Sequence, residues 1–129
     1  MKRLVVLVAC LGLAAAAAAQ EGHPLSGTWS GDWGPSATER THVTLVMNWD
    51  GKNITGTWNP GPDSVPLASV FLDPATWTVR IEADPKDATG KPAHIALEGR
   101  IDDLSSYHRK IIGTWTRGTA TGDVRLTRD

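Results

Sequence analysis

The sequence predicts an all-β fold, an eight-stranded antiparallel meander closed into a barrel, and three observations carry that prediction. The first is a repeated strand unit: Ile54-Thr55-Gly56-Thr57-Trp58 returns as Ile111-Ile112-Gly113-Thr114-Trp115, and its last three residues also stand as Gly27-Thr28-Trp29. The second is an apolar alternation of period two in segment after segment, the mark of a strand with one buried face. The third is the punctuation. Connections are mostly short and rich in Gly, Pro, Asp and Asn, and no helix-period apolar stripe of useful length follows residue 20. Strands joined by short connections pair as antiparallel neighbours, since parallel pairing needs crossover helices. Closing eight of them removes the exposed edges that template aggregation. A two-sheet β-sandwich is the alternative that the same strand signals allow.

The chain opens with Met1-Lys2-Arg3, an apolar run from Leu4 to Leu13 and an alanine tract. This reads as a secretory signal peptide over residues 1–19, cleaved after Ala19, so the expected location is secreted or periplasmic. The apolar run falls short of the roughly 20 residues that cross a bilayer, and no transmembrane anchor is expected. Cys10, the single cysteine, lies inside the leader, which leaves the remainder without a disulfide. Leu7-Val8-Ala9-Cys10 has the form of a bacterial lipoprotein box, but the apolar segment ahead of it is short, so ordinary cleavage is favoured over lipid anchoring. Residues 20–25 read as an N-terminal arm and 26–129 as one barrel domain, about 110 residues being enough for a single core. A net charge of −1 without a basic stripe argues against a nucleic-acid or polyanion partner.

Strand one runs from Gly27 to Trp33, with Trp29, Gly31 and Trp33 on one face, and Gly34-Pro35-Ser36 ends it. From Thr41 to Trp49 the alternation is clearest, Val43, Leu45, Met47 and Trp49 facing one way and His42, Thr44, Val46 and Asn48 the other. Asp50-Gly51 is the signal for a tight hairpin, because a primed turn needs positive φ, and the Ile54 to Trp58 strand follows. Asn59-Pro60-Gly61-Pro62 cannot continue a ladder. Val65 to Leu72 is a weaker strand broken by Pro66, so pairing is expected from about Leu67, toward an edge or after a bulge. Asp73-Pro74-Ala75-Thr76 turns the chain into a strand with Trp77, Val79 and Ile81 on its apolar face. Asp84 to Lys91 reads as a solvated loop. Ala93, Ile95 and Leu97 then alternate with His94, Ala96 and Glu98. After a turn through Asp102 to Arg109, Lys110 to Arg117 repeats the organising unit. Gly118 to Gly122 makes the last turn before Asp123 to Arg128, with Val124 and Leu126 inward.

On this reading the apolar face is walled by tryptophan and aliphatic residues, with Ser69 its one polar member. His42, Arg80, Glu82, His94, Glu98 and Arg100 fall on the opposite parity. A catalytic lumen would need an acid, base or nucleophile pointing inward, so no catalytic residue is assigned. His42 and His94 are each followed two residues on by a non-ligand, Thr44 and Ala96, and neither a metal nor a cofactor is expected. The six tryptophans are the one enrichment. They serve either as core filler packed over Gly31, Gly56 and Gly113 or as the wall of a pocket for a small apolar or aromatic ligand. The candidate ligand-binding residues are Trp29, Leu45, Met47, Trp49, Trp58, Phe71, Trp77 and Trp115. Competing readings are a hydrolase using surface His and Glu residues, a carbohydrate-binding barrel with Trp33, Trp49 or Trp58 stacking on sugar rings, and a protease inhibitor.

Gly27-Thr28-Trp29 at the head of such a meander resembles the Gly-x-Trp start of the lipocalin and avidin-like barrels of the calycin group, and in particular small exported lipocalin-like barrels of bacteria. The resemblance implies that Trp29 closes one barrel end under an arginine of the last strand, for which Arg125 is the candidate. It also implies a lumen for a small ligand, or protease inhibition through the arm from Gln20 to Ser26.

Overall fold

The computed structural model describes residues 23–129, and the strand alternation closes into a barrel in the order β1-β2-β3-β4-β5-β6-β7-β8. The strands are β1 Gly27–Gly34, β2 Thr41–Trp49, β3 Ile54–Trp58, β4 Val65–Asp73, β5 Thr78–Ala83, β6 Ile95–Asp102, β7 Lys110–Arg117 and β8 Ala120–Arg128. Each pairs antiparallel with its neighbours, and β1 returns to β8 through Trp29↔Arg128 to Gly34↔Asp123, so no edge is left open. This is a closed antiparallel meander barrel, and it displaces the sandwich alternative. The expected leader, Cys10 and the first three residues of the arm lie outside the described residues. Among the described residues no helix is long and apolar enough to cross a membrane.

Alternation places the core as expected. Val43, Leu45, Met47, Val79, Ile81, Ile95, Val124 and Leu126 are fully or almost fully buried, and no polar or charged residue is buried among the described residues. The glycines of the repeated unit admit backbone rather than indole. A Cβ on Gly31 would fall 1.8 Å from the Arg125 carbonyl oxygen, and one on Gly113 would fall 2.0 Å from that of Glu98 and 2.4 Å from the Cα of Gly99. Neighbouring strands can coil tightly there because no side chain intervenes.

One end of the barrel is shut. Leu25 is wholly enclosed and its carbonyl accepts a 2.8 Å hydrogen bond from the Trp29 indole N–H. Ser26 N–H bonds back to the His23 carbonyl at 3.2 Å, and Arg109 donates to the Pro24 carbonyl at 3.2 Å, so the end of the expected arm belongs to the plug. The arginines at this end are Arg109 and Arg128, the latter opposite Trp29 in the ladder and donating to the Ser26 carbonyl at 3.4 Å. Arg125, expected over Trp29, instead projects outward opposite Asp32 with its guanidinium 3.7 Å from Asp123. Its parity, opposite to that of Val124 and Leu126, is the reason.

Four further expectations are corrected. At the β2–β3 hairpin positive φ is confined to Gly51, with Asp50 and Asn53 as the flanking pair, so the tip is Gly51-Lys52. The Asp50 carboxylate anchors it by accepting from the Lys52 and Asn53 amides at 2.8 and 2.7 Å. β8 begins at Ala120, directly after a tight Gly118-Thr119 turn. In β4 the pairing starts at Val65 and Pro66, opposite Trp58 and Thr57, because proline needs only to avoid a position that donates. The anticipated bulge falls between Leu67 and Ser69. It carries an extra residue, Ala68, and every later side chain of the strand changes face. Val70 and Leu72 therefore pack on the core, while Ser69 and Phe71 turn outward, Phe71 being 63% exposed.

Candidate functional site

The open end of the barrel is set by where strands stop. β1, β3, β5 and β7 end there and β2, β4, β6 and β8 begin there, so Trp33, Thr41, Trp58 and Arg117 meet at the rim although they lie far apart in the chain. With Asn59, Asp63 and the loop residues Pro85 to Ala88 and Gly90 they line a cleft of about 670 Å³, within the range of small-molecule sites. Its apolar wall is an aromatic cluster. The Trp33 ring meets that of Trp115 edge-on at 4.8 Å and 76°, and that of Trp58 at 6.4 Å and 64°. Trp58 and Trp115 are each 3% exposed.

The loop over this cleft is ordered rather than merely solvated. Asp87 Oδ1 accepts from the Thr89 hydroxyl at 2.6 Å, the Thr89 amide at 2.8 Å and the Lys91 amide at 3.2 Å. These bonds, the Thr89 hydroxyl foremost, hold the Asp87 carboxyl below its ordinary pKa, with a smaller contribution from the Arg117 charge. At the other side of the rim Asn59 takes a positive φ and accepts from the Thr44 amide at 3.0 Å, ending β3 beside the cleft. Arg40 locks the β1–β8 seam outside by pairing with Asp32 and Asp123 at 2.5 and 2.6 Å.

The expected ligand-binding residues divide between two ends of the molecule. Trp58 lines the mouth cleft and Trp115 lies behind Trp33, whereas Trp29, Leu45 and Met47 are fully enclosed in the core below. Trp49, Phe71 and Trp77 line a second cleft of about 550 Å³ near the plugged end, together with His23, Pro24 and Pro74. Trp49 stacks on His23 at 4.6 Å, and burial there lowers the pKa of the imidazole. Trp77 is not a strand residue. It closes the β4–β5 turn at a φ of 57°, a left-handed conformation that is rare for so bulky a side chain, and its carbonyl accepts from the Ile101 amide at 3.0 Å.

Sequence reasoning left Thr41, Asn59, Asp63, Arg117 and the 85–90 loop out of the site, and held Trp33 only as a sugar-stacking candidate. Arg117 was within reach of the alternation, since it follows Trp115 by two residues and so shares its inward parity. The loop was not, because its link to the mouth depends on which end β5 finishes.

On the outer face the bulge brings Ser69 into a charged cluster. Ser69 donates to Glu82 Oε2 at 2.8 Å, and His94 lies between Asp84, 2.8 Å from Nδ1, and Glu82, 3.2 Å from Nε2. The Asp84 contact first and the Glu82 contact second raise the His94 pKa. The Ser69 hydroxyl faces a carboxylate rather than the imidazole, and both ring nitrogens are engaged by acids. That geometry stabilises an imidazolium and leaves the serine facing a carboxylate of lowered pKa, a weak base for activating a hydroxyl.

Comparison with protein-family models, curated proteins and solved structures found no match to the chain. The barrel and the two clefts lined by tryptophan therefore carry the functional reading by themselves.

Proposed function

We propose that the protein binds a small apolar or aromatic molecule in the mouth of its barrel, against Trp33 and Trp58, and that it works outside the cytoplasm. The observation carrying the binding reading is the tryptophan-walled cleft above a core in which no polar or charged residue is buried among the described residues. Affinity would come from apolar area removed from water, about 25 cal/mol per Å² before the costs of ordering. The side chains below the cleft are already in contact with one another, so the ligand rests on the packed core. The leader-like residues 1–19 support the export part.

Titration of intrinsic tryptophan emission with small aromatics, fatty acids and retinoids tests the binding. A saturable change is expected with at least one class, weakened at least tenfold by Ala88→Trp, which places an indole from an exposed loop position into the cleft. No saturable change with any class would remove the support for this reading.

A second reading, carbohydrate binding, is favoured by one observation: Trp49, Phe71 and Trp77 are gathered beside Lys52 and Asn53 at the other cleft. Flat aromatic faces with nearby polar groups suit sugar rings. Retention on insoluble polysaccharide that is lost in Trp77→Ala and kept in Ala88→Trp would favour this site over the mouth.

A further inference from the structure

Trp29 and Trp115 have acceptors for their indole N–H groups, the Leu25 carbonyl at 2.8 Å and the Gly34 carbonyl at 3.2 Å. Trp33 does not. Its Nε1 and the Nη2 of Arg117 are the two buried side-chain polar atoms without a partner among the described residues, and both residues line the mouth cleft. A buried donor left unpaired loses its hydration without compensation, and the cost is larger if it is charged. Two such donors at one cleft, both lacking acceptors, therefore require an explanation. They are also neighbours: the Trp33 ring packs on Trp115 at 4.8 Å, and Arg117 is the next inward position of β7 after Trp115.

From these two donors we infer that the ligand of the mouth cleft carries a carboxylate, which accepts from the Trp33 indole N–H and the Arg117 guanidinium while its apolar or aromatic body lies on the Trp33 and Trp58 rings. This inference rests on the binding reading above and names the polar end of the molecule bound. A single negative charge fits better than two. Lys86 and Arg117 line the cleft with Asp63 and Asp87, so the local charge is balanced before a ligand enters, and a dianion would meet both acidic groups. Asp87 Oδ1 accepts from the Thr89 hydroxyl and from the Thr89 and Lys91 amides, and Asp87 makes no hydrogen bond to Arg117 Nη2, which is without a partner. A protonated amine would leave both donors unpaired and would add a third beside them. The arginine fork suits a carboxylate because it offers parallel N–H groups in a fixed plane.

The test is a matched set of probes: 2-naphthoate against 2-naphthamide and 2-naphthylmethylamine, with dodecanoate against its methyl ester. These are titrated into the full chain and read by tryptophan emission and by the indole N–H signals in proton–nitrogen correlation spectra. The acids are expected to bind at least tenfold more tightly than their neutral partners, and the amine most weakly. The Trp33 indole proton is expected to move downfield with the acids alone. Arg117→Gln should lower affinity for the acids about tenfold and change that for the neutral probes less than twofold. Trp33→Phe keeps an aromatic ring, though a smaller one, and removes the donor, so it should cost the acids several-fold more than it costs the neutral probes. Equal binding of acids and neutral probes, unaffected by Arg117→Gln, would overturn the carboxylate inference and leave the apolar mouth site standing. Tighter binding of the amine would overturn it as well. Binding of no probe at all would remove both the inference and the reading on which it rests.

Discussion

Single residues decide both how tightly this barrel coils and what its surface does with protons. Gly113 sits where the β6 and β7 backbones nearly touch, and its hypothetical Cβ meets backbone atoms that cannot rotate away. Gly113→Ala is expected to cost about 3 kcal/mol, at the upper end of ordinary substitutions, measured by urea denaturation with an unchanged m-value. The His94 imidazolium is stabilised by Asp84 and then Glu82. A raised folded-state pKa means the contribution to stability is fully present below the unfolded value of about 6.5 and is lost as pH rises through the folded midpoint. An NMR titration of His94 should give a midpoint above that of a model histidine, and Asp84→Asn should bring it down. A midpoint unchanged by Asp84→Asn would show that the contact carries no weight in solution. The parity of His94 and Glu82 was legible in the sequence, but their meeting with Asp84 and Ser69 was not, because it needs the register of β5 against β6 and β4.

Elements with unbroken alternation were legible almost residue by residue. Val43, Leu45 and Met47 of β2 face the core because their spacing left them no other choice, and the Asp50-Gly51 pair announced the hairpin. β4 was legible only in part. Pro66 signalled an irregularity, but Ala68 is a small residue with nothing in its type to mark it as the extra one, and reading through it at period two sent Phe71 to the wrong face. The corrected register makes a sharp prediction. Phe71→Ser should change stability by no more than about 0.5 kcal/mol, as for an ordinary surface site. Val70→Ser should cost about 1 kcal/mol or more, since Val70 packs against the core. Equal losses measured by chemical denaturation would contradict the bulge. Trp77 was misread for a related reason: it has the residue type of a strand, yet the turn holds it in a left-handed conformation that no sequence pattern marks.

Across the whole molecule, topology sorts the tryptophans into three environments that composition alone could not separate. Trp29 plugs one end, Trp33, Trp58 and Trp115 form the wall and floor of the mouth, and Trp49 and Trp77 stand half-buried in the cleft at the plugged end. Trp29→Ala should therefore destabilise the barrel by about 3–5 kcal/mol, the range for removing a large buried aromatic, without changing any property of the mouth that survives in the folded fraction. Trp58 was recognisable as a wall from the sequence. Its companions at the rim were not, because they are brought together only by the alternating strand ends of a closed meander. The central claim, that this closed barrel binds an apolar or aromatic guest at its mouth, is tested most directly by following the six indole N–H signals during titration with 2-naphthoate. The account predicts saturable shifts at Trp33 and Trp58 with little movement of Trp49 and Trp77. Shifts confined to Trp49 and Trp77, or none at any tryptophan up to the solubility of the probe, would contradict it.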